Sequence, residues 1–233
     1  MNFEVVHIRE TDSTNRWLQE HGEGEMAVWA DYQTAGRGCG TNTWESERDK
    51  NLLFSLLIHP QGIAASQQFL ISMAISVALV RTLSLYIKEG VSIKWPNDIY
   101  VDDRKICGIL IENRLCGTQI RESIIGVGLN LNQAQFLGNA PNPVSLCMLT
   151  GKPVDRETCL SQTLSAFSLN ALGKQADYYR EHLYRREGFH AYHDDKGDFE
   201  AEIAGVEDDG HLLLRDRDGR QRRYAFKEVS FIV

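Results

Sequence analysis

The chain has 233 residues, of which 42% are hydrophobic and 24% charged, and its formal net charge is −7. That length and balance suit a globular chain able to bury one large core and a small second one, and they set it apart from disordered and fibrous classes. The negative charge argues against nucleic acid as the main partner, because gripping a phosphate backbone needs a basic surface.

Taken in chain order, Met1-Asn2-Phe3-Glu4 lacks a basic region and an apolar core, so no signal peptide is expected. Val5–Arg9 reads as a strand. Asp12 or Ser13 can cap a helix running to about Glu20, which Gly22 and Gly24 end. Ala27–Gln33 is strand-like, and a glycine-rich polar loop follows to Asn51. Leu52–His59 is strand-rich and closes at Pro60-Gln61-Gly62. Ala64–Lys88 has apolar residues at helical spacing; Gln67, Gln68, Arg81 and four serines make it a buried helix rather than a membrane span. Val91–Ile93 and Ile99–Val101 read as strands, Asp102-Asp103-Arg104 as a turn, and Ile106–Asn113 as the returning strand. Ile120–Leu131 is a strand with Gly126 and Gly128 inside it, a mark of close approach by a ligand or another backbone. Asn132–Pro153, with Pro141, Pro143 and Pro153, is loop-like. Arg156–Leu172 and Gln175–Arg186 read as helices. From Lys196 onward short strands alternate with tight turns, a hairpin-rich small barrel. The boundary falls near Arg186–Lys196, dividing the chain into 1–186 and 187–233.

Two segments concentrate chemistry. Lys94-Trp95-Pro96-Asn97-Asp98, followed by Lys105-Ile106-Cys107-Gly108, puts two cations, a ring suited to stacking, an amide and a carboxylate on one strand–turn–strand unit. Pro96 interrupts strand pairing there. Upstream, in Gln33-Thr34-Ala35-Gly36-Arg37-Gly38, glycines let backbone N–H groups turn toward an anion and Arg37 can bind it bidentately. No helix obviously follows, and no Gly-Lys-Ser/Thr does, so this is neither a dinucleotide fingerprint nor a P-loop. Together the two segments read as a site for an anionic, phosphate-bearing intermediate. Thr11-Asp12-Ser13-Thr14-Asn15 could hold a ureido or carbonyl group, cap a helix, or do both. Trp44 fits a core residue or a platform for a base equally well, and Asn130 a turn or a ligand contact. The five cysteines, at 39, 107, 116, 147 and 159, form no CxxC pair. They argue against a zinc or disulfide framework and for a reducing compartment. No histidine has metal-ligand spacing, and Cys39 has no histidine partner that would make it a nucleophile.

These segments, with Trp44, Arg104–Glu112 and Gly126-Val127-Gly128-Leu129-Asn130, resemble the biotin–protein ligase family in content and order over about residues 5–132. The resemblance implies an α+β fold: a mixed-sheet catalytic domain related to class II synthetases, then a small SH3-like β-barrel. It implies ATP and Mg²⁺ as cofactors, biotin as substrate, and a biotin carboxyl carrier protein as the acceptor of biotin from biotinyl-5′-AMP. Arg37, Lys105 and Asp98 would be catalytic. Ser13, Thr14, Asn15, Gln33, Gly36, Arg37, Gly38, Cys39, Lys105 and Gly108 would bind biotin. Arg37, Trp44, Lys94, Asn97, Lys105 and Asn130 would bind ATP, and no protein metal site is expected. The chain departs from the family in its loop: Cys39-Gly40-Thr41-Asn42 stands where further cations are common, with Arg48 or Lys50 as substitutes from farther along.

The motif region opens at Thr11, so no helix-turn-helix is expected upstream, and neither DNA nor membrane is an expected partner. A cytoplasmic location is expected, with homodimer formation left open. The competing readings are a lipoate–protein ligase, a repressor using biotinyl-AMP as corepressor, and a non-catalytic adaptor. The Lys-Trp-Pro-Asn-Asp string, the negative charge and the intact Lys94, Asp98 and Lys105 count against them in turn.

Overall fold

The computed structural model describes residues 1–138, 142–170 and 172–232; Pro141 of the expected 132–153 loop lies outside them. Strand β1 (Glu4–Thr11), helix α1 (Thr14–His21) and strand β2 (Met26–Gln33) form a βαβ unit, because β1 and β2 pair in parallel. The other strands join antiparallel: β3 (Leu52–Ile58), β4 (Val91–Lys94), β5 (Asp98–Val101), β6 (Arg104–Cys116) and β7 (Gln119–Leu129). The result is a mixed seven-stranded sheet in the order β1-β2-β3-β7-β6-β5-β4.

The two faces of this sheet are covered unequally. One carries the large core. Helix α2 (Phe69–Leu83) is apolar on nearly every side and is buried against β4, β5 and the later helices α4 (Arg156–Ala166) and α5 (Leu172–Glu181). The stretch Ala65–Leu83 is apolar and long enough to cross a membrane, but 67% of it is buried inside the protein, as a core helix should be. Among the described helices, the one on the other face is α1, whose Leu18 packs on Met26, Val28, Leu57 and Ile124. Beyond that short helix the face is left open, and the site lies there.

The expected helices differ at their ends. A 3₁₀ turn, Ala65–Gln67, precedes α2, which stops at Leu83 rather than Lys88. Helix α4 ends at Ala166 rather than Leu172, because Phe167 turns extended and is buried, which overrides helix continuation. Helix α5 covers Leu172–Glu181 rather than Gln175–Arg186. A short helix, α3 (Leu146–Thr150), sits inside the expected loop.

The C-terminal strands make a five-stranded antiparallel sheet in the order β11-β10-β9-β8-β12, consistent with an SH3-like domain. They are β8 (His190–Asp194), β9 (Gly197–Val206), β10 (Leu212–Asp216), β11 (Gln221–Tyr224) and β12 (Ser230–Phe231). Strand β8 lies outside the expected set: its one deeply buried ring is Tyr192, between polar and small neighbours.

The sequence suggests a stacking role for Trp95. The structure corrects this: Trp95 is 4% exposed, and its indole N–H donates to Gly210 O at 2.9 Å, in the β9–β10 turn. A core ring thus pins the second sheet beside the Lys94–Asp98 segment. Trp95→Phe should keep most of the packing and lose this bond, leaving the Gly210 carbonyl without its donor. Stability should fall by about 1 kcal/mol. A thermal midpoint equal to wild type would show that the bond does not hold the sheets together.

Candidate active site

Cross-strand partners project from the same side of a sheet. Register therefore identifies the floor of the open face: Ser55 lies opposite Gly126, Leu53 opposite Gly128, Gly126 opposite Leu110, Gly128 opposite Gly108, and Gly108 opposite Asp98. Where glycines take the place of side chains, a cavity of about 520 Å³ opens. Its walls come from the start of α1, Gln33, the loop after β2, the Lys94–Asp98 turn, and residues 226–231 of the second sheet.

The glycines are needed by side chains of the protein itself. A Cβ on Gly128 would lie 2.3 Å from Trp44 Cε2, and one on Gly108 2.8 Å from Trp44 Cζ3. A Cβ on Gly126 would lie 2.3 Å from Asn15 Oδ1. The indole of Trp44 is thus laid across two paired glycines, half-buried, with its Nε1 enclosed and without a protein acceptor.

Lys105 reaches this face through an irregularity. Asp98 pairs with Gly108 and Ile99 with Cys107, but Tyr100 then pairs with Lys105, leaving Ile106 as the extra residue of a β-bulge. Regular alternation would point Ile106 and Gly108 the same way and Lys105 to the core. The bulge instead buries Ile106 in the core and turns Lys105 to the cavity, where Nζ lies 2.7 Å from Asp98 Oδ1. Lys94, opposite Asp98, joins them, its Nζ 3.0 Å from the Tyr100 hydroxyl. Burial pulls the Lys94 ammonium below the ordinary lysine range, with Asp98 opposing it. Burial also pushes the Tyr100 phenol up, and the Asp98 charge adds to this.

The opposite end is a network of short polar bonds. Gln33 Oε1 accepts from the Thr14 backbone N–H at 2.8 Å and from its hydroxyl at 3.0 Å. The fully buried Ser55 hydroxyl lies 2.7 Å from Thr14 Oγ1 and 2.6 Å from Asn15 Oδ1. Asn15 Nδ2 donates to Glu112 at 2.7 Å, and the same Glu112 oxygen accepts from Arg37 at 2.9 Å. Ser13 lines the cavity at the helix start.

The loop after β2 folds on itself. Trp44 N–H donates to Gly36 O at 2.9 Å, Arg37 bridges to Thr43, and Gly38 N–H donates to Asn42 O at 2.8 Å. Gly36 forms the base of this turn, outside the cavity lining, whereas Gly38 and Cys39 line it. Burial raises the Cys39 thiol above its ordinary range and so keeps it protonated. Asn97 lines the cavity and ties down the turn, donating to Ile109 O at 2.8 Å. Asn130 stands apart: it is 3% exposed, outside the lining, and donates to Val144 O at 3.2 Å.

Of the expected residues, all but Gly36 and Asn130 line the cavity. Absent from the expected set are Ser55, the structural partner role of Glu112, and the 226–231 wall. Ser55 is hidden inside an apolar strand. Among the described residues, Glu207, Asp209 and His211 are the one grouping with cation-binding spacing, and the Arg223 guanidinium pairs with both carboxylates there.

Residues 3–130 match the model of the biotin/lipoate A/B protein ligase family, and the chain belongs to that family. Within it the chain stands with the biotin protein ligases. It is 32% identical to the biotin–[acetyl-CoA-carboxylase] ligase of Paracoccus denitrificans over 239 residues, 92% of this chain and 95% of that protein. It is 28% identical to the bifunctional ligase/repressor BirA of Bacillus spizizenii over 228 residues, 87% of this chain but 65% of the relative's length. The fold is shared with the biotin protein ligase of Aquifex aeolicus, solved with biotin and ATP, at a TM-score of 0.79, 23% identity and 97% coverage of each chain.

Proposed function

We propose that this chain is an ATP-dependent ligase that activates biotin as biotinyl-5′-AMP and passes the biotinyl group to a specific lysine of a biotin carboxyl carrier protein domain. The observation that carries this reading is one continuous cavity with a hydrogen-bonded polar network at one end, to which Arg37 is tied through Glu112, and the Lys94, Lys105 and Asp98 charges at the other. A carboxylate is a poor acyl donor and AMP makes it a good one. In the first step the biotin carboxylate attacks the α-phosphorus of ATP and pyrophosphate leaves; in the second the lysine amine displaces AMP. Both reactants of the first step are anions, so fixed cations must offset their repulsion.

In this reading Ser13, Thr14, Asn15 and Gln33 hold the biotin head group, with backbone from Gly36 to Cys39 and Gly108 beside its chain. Arg37, Lys94 and Lys105 face the carboxylate and phosphates. Trp44 and Asn97 border the nucleotide, and Asn130 supports that end from behind. Asp98 keeps Lys105 aimed at the reacting atoms and orients the incoming amine. Asp98 is the one acidic residue in the lining among the described residues, which fits Mg²⁺ carried mainly by the ATP phosphates. Such an ion would screen phosphate charge. The division into 1–186 and 187–233 and a cytoplasmic setting are part of the same proposal; repression, named for the Bacillus relative, is not.

ATP–pyrophosphate exchange tests the reading. It should depend on biotin, and exchange supported by lipoate alone would reject the assignment. Ser55→Ala should leave Asn15 Oδ1 and Thr14 Oγ1 without their shared partner. Biotin affinity should fall about tenfold, the equivalent of one buried hydrogen bond lost with its partner left behind. An unchanged biotin Kd would remove Ser55 from the binding network.

A further inference from the structure

Four cations line the cavity, and three are engaged. Arg37 lies on Glu112 at 2.9 Å, Lys105 on Asp98 at 2.7 Å, and Lys94 Nζ is 3.0 Å from the Tyr100 hydroxyl. The fourth, Lys227, comes from the turn between β11 and β12 and pairs with no carboxylate among the described residues. Its ammonium is set over the loop after β2: a Cβ added to Gly40 would lie 2.5 Å from Lys227 Nζ. That loop has no charge of its own from Gly38 to Trp44. Lys227 also has φ 72°, a left-handed backbone that glycine adopts freely and lysine does not. Lys227, Cys39, Asp98 and Lys105 all line the one cavity.

We propose that Lys227 holds phosphate: the second sheet lends its ammonium to the uncharged 38–44 loop, and the two close together over the phosphate of the acyl-adenylate. This rests on the ligase reading and adds a residue to it. It also explains how a loop written Cys39-Gly40-Thr41-Asn42 can retain an anion. A side chain at position 40 would be strained there, because Gly40 has φ 69° and its Cβ would meet Lys227 Nζ at 2.5 Å.

The test measures binding of biotin, ATP and synthetic biotinyl-5′-AMP to the full chain and to Lys227→Met, Lys227→Gly and Lys227→Arg. Lys227→Gly relieves the backbone, so it keeps the fold while losing the charge. Met and Gly should each weaken biotinyl-5′-AMP about tenfold, as for one charge-assisted contact, and flatten its salt dependence. Biotin alone should change less than about twofold on the same scale, and Arg should restore most of the loss. Equal adenylate affinity in wild type, Met and Gly, or a parallel loss of biotin, would overturn the proposal and leave the ligase reading standing. Failure of wild type to bind biotin and its adenylate would overturn that reading. ATP would then decide for Lys227: about tenfold weaker binding in Met and Gly supports phosphate holding, and no change rejects it.

Discussion

Lys105→Ala should lower biotin-dependent ATP–pyrophosphate exchange by about 10²-fold or more, the rate equivalent of ~3 kcal/mol of charge stabilisation. Its ammonium stands beside Asp98 at the charged end of the cavity. In the proposed first step this is where the ammonium would offset the negative charge of carboxylate and phosphate. The variant should fold, since the side chain is partly exposed and faces the cavity rather than the core. Near-wild-type exchange would show that Lys94 or Arg37 does this work instead. Arg37→Ala should slow exchange too, and should also loosen the intermediate, because the same residue anchors the loop to Glu112.

Gly128→Ala should be nearly as damaging although it adds one methyl group and removes no charge. The new Cβ would overlap the Trp44 indole at 2.3 Å from Cε2, so the ring and the loop behind it must lift. A displacement of about 1 Å in a positioning element can cost 10²-fold, and the loss should fall on nucleotide binding and exchange more than on biotin. The double variant Gly128→Ala/Trp44→Ala gives the sharper check. With the ring gone the methyl has nothing to strike, so the pair should be no worse than Trp44→Ala alone. Additive losses would mean that Gly128 matters for another reason, such as direct approach of the ligand.

The chemistry-bearing strings are legible from residue type and spacing because those residues make little sense otherwise: Lys94, Asn97 and Asp98 around Pro96, and Arg37 among glycines. Gly126 and Gly128 are legible as places of close approach, but not what approaches, because Asn15 and Trp44 arrive from distant segments. Ser55 carries no signal, since one serine in Leu-Leu-Phe-Ser-Leu-Leu-Ile reads as a small core residue. Trp95 misleads, because a tryptophan between a lysine and a proline looks available for stacking, and only tertiary packing puts it under Gly210. Strand β8 escapes notice because His190-Ala191-Tyr192-His193-Asp194 has too little apolar alternation. The expected end of α4 overruns because burial of Phe167 stops the helix, not a local signal. The wall from Phe226 to Phe231 cannot be foreseen from a separate sheet's own sequence.

The bulge at Ile106 makes the chemistry of this cavity a matter of parity. Lys105 and Gly108 stand three positions apart, an odd count that would put them on opposite faces of a regular strand; with one residue looped out, both face the ligand side. Were the bulge to migrate to the N-terminal side of Lys105, no letter of the sequence would change. The ammonium would nevertheless be committed to an apolar interior, and Ile106 would take its place in the cavity. Deleting Ile106 would do the reverse: the count becomes even, the ladder regular, and the lysine keeps its face while the core loses a side chain. A chain one residue shorter here could therefore be equivalent, and one of equal length with a displaced bulge could not. When this segment is compared between chains or redesigned, the pairing frame is what has to be preserved.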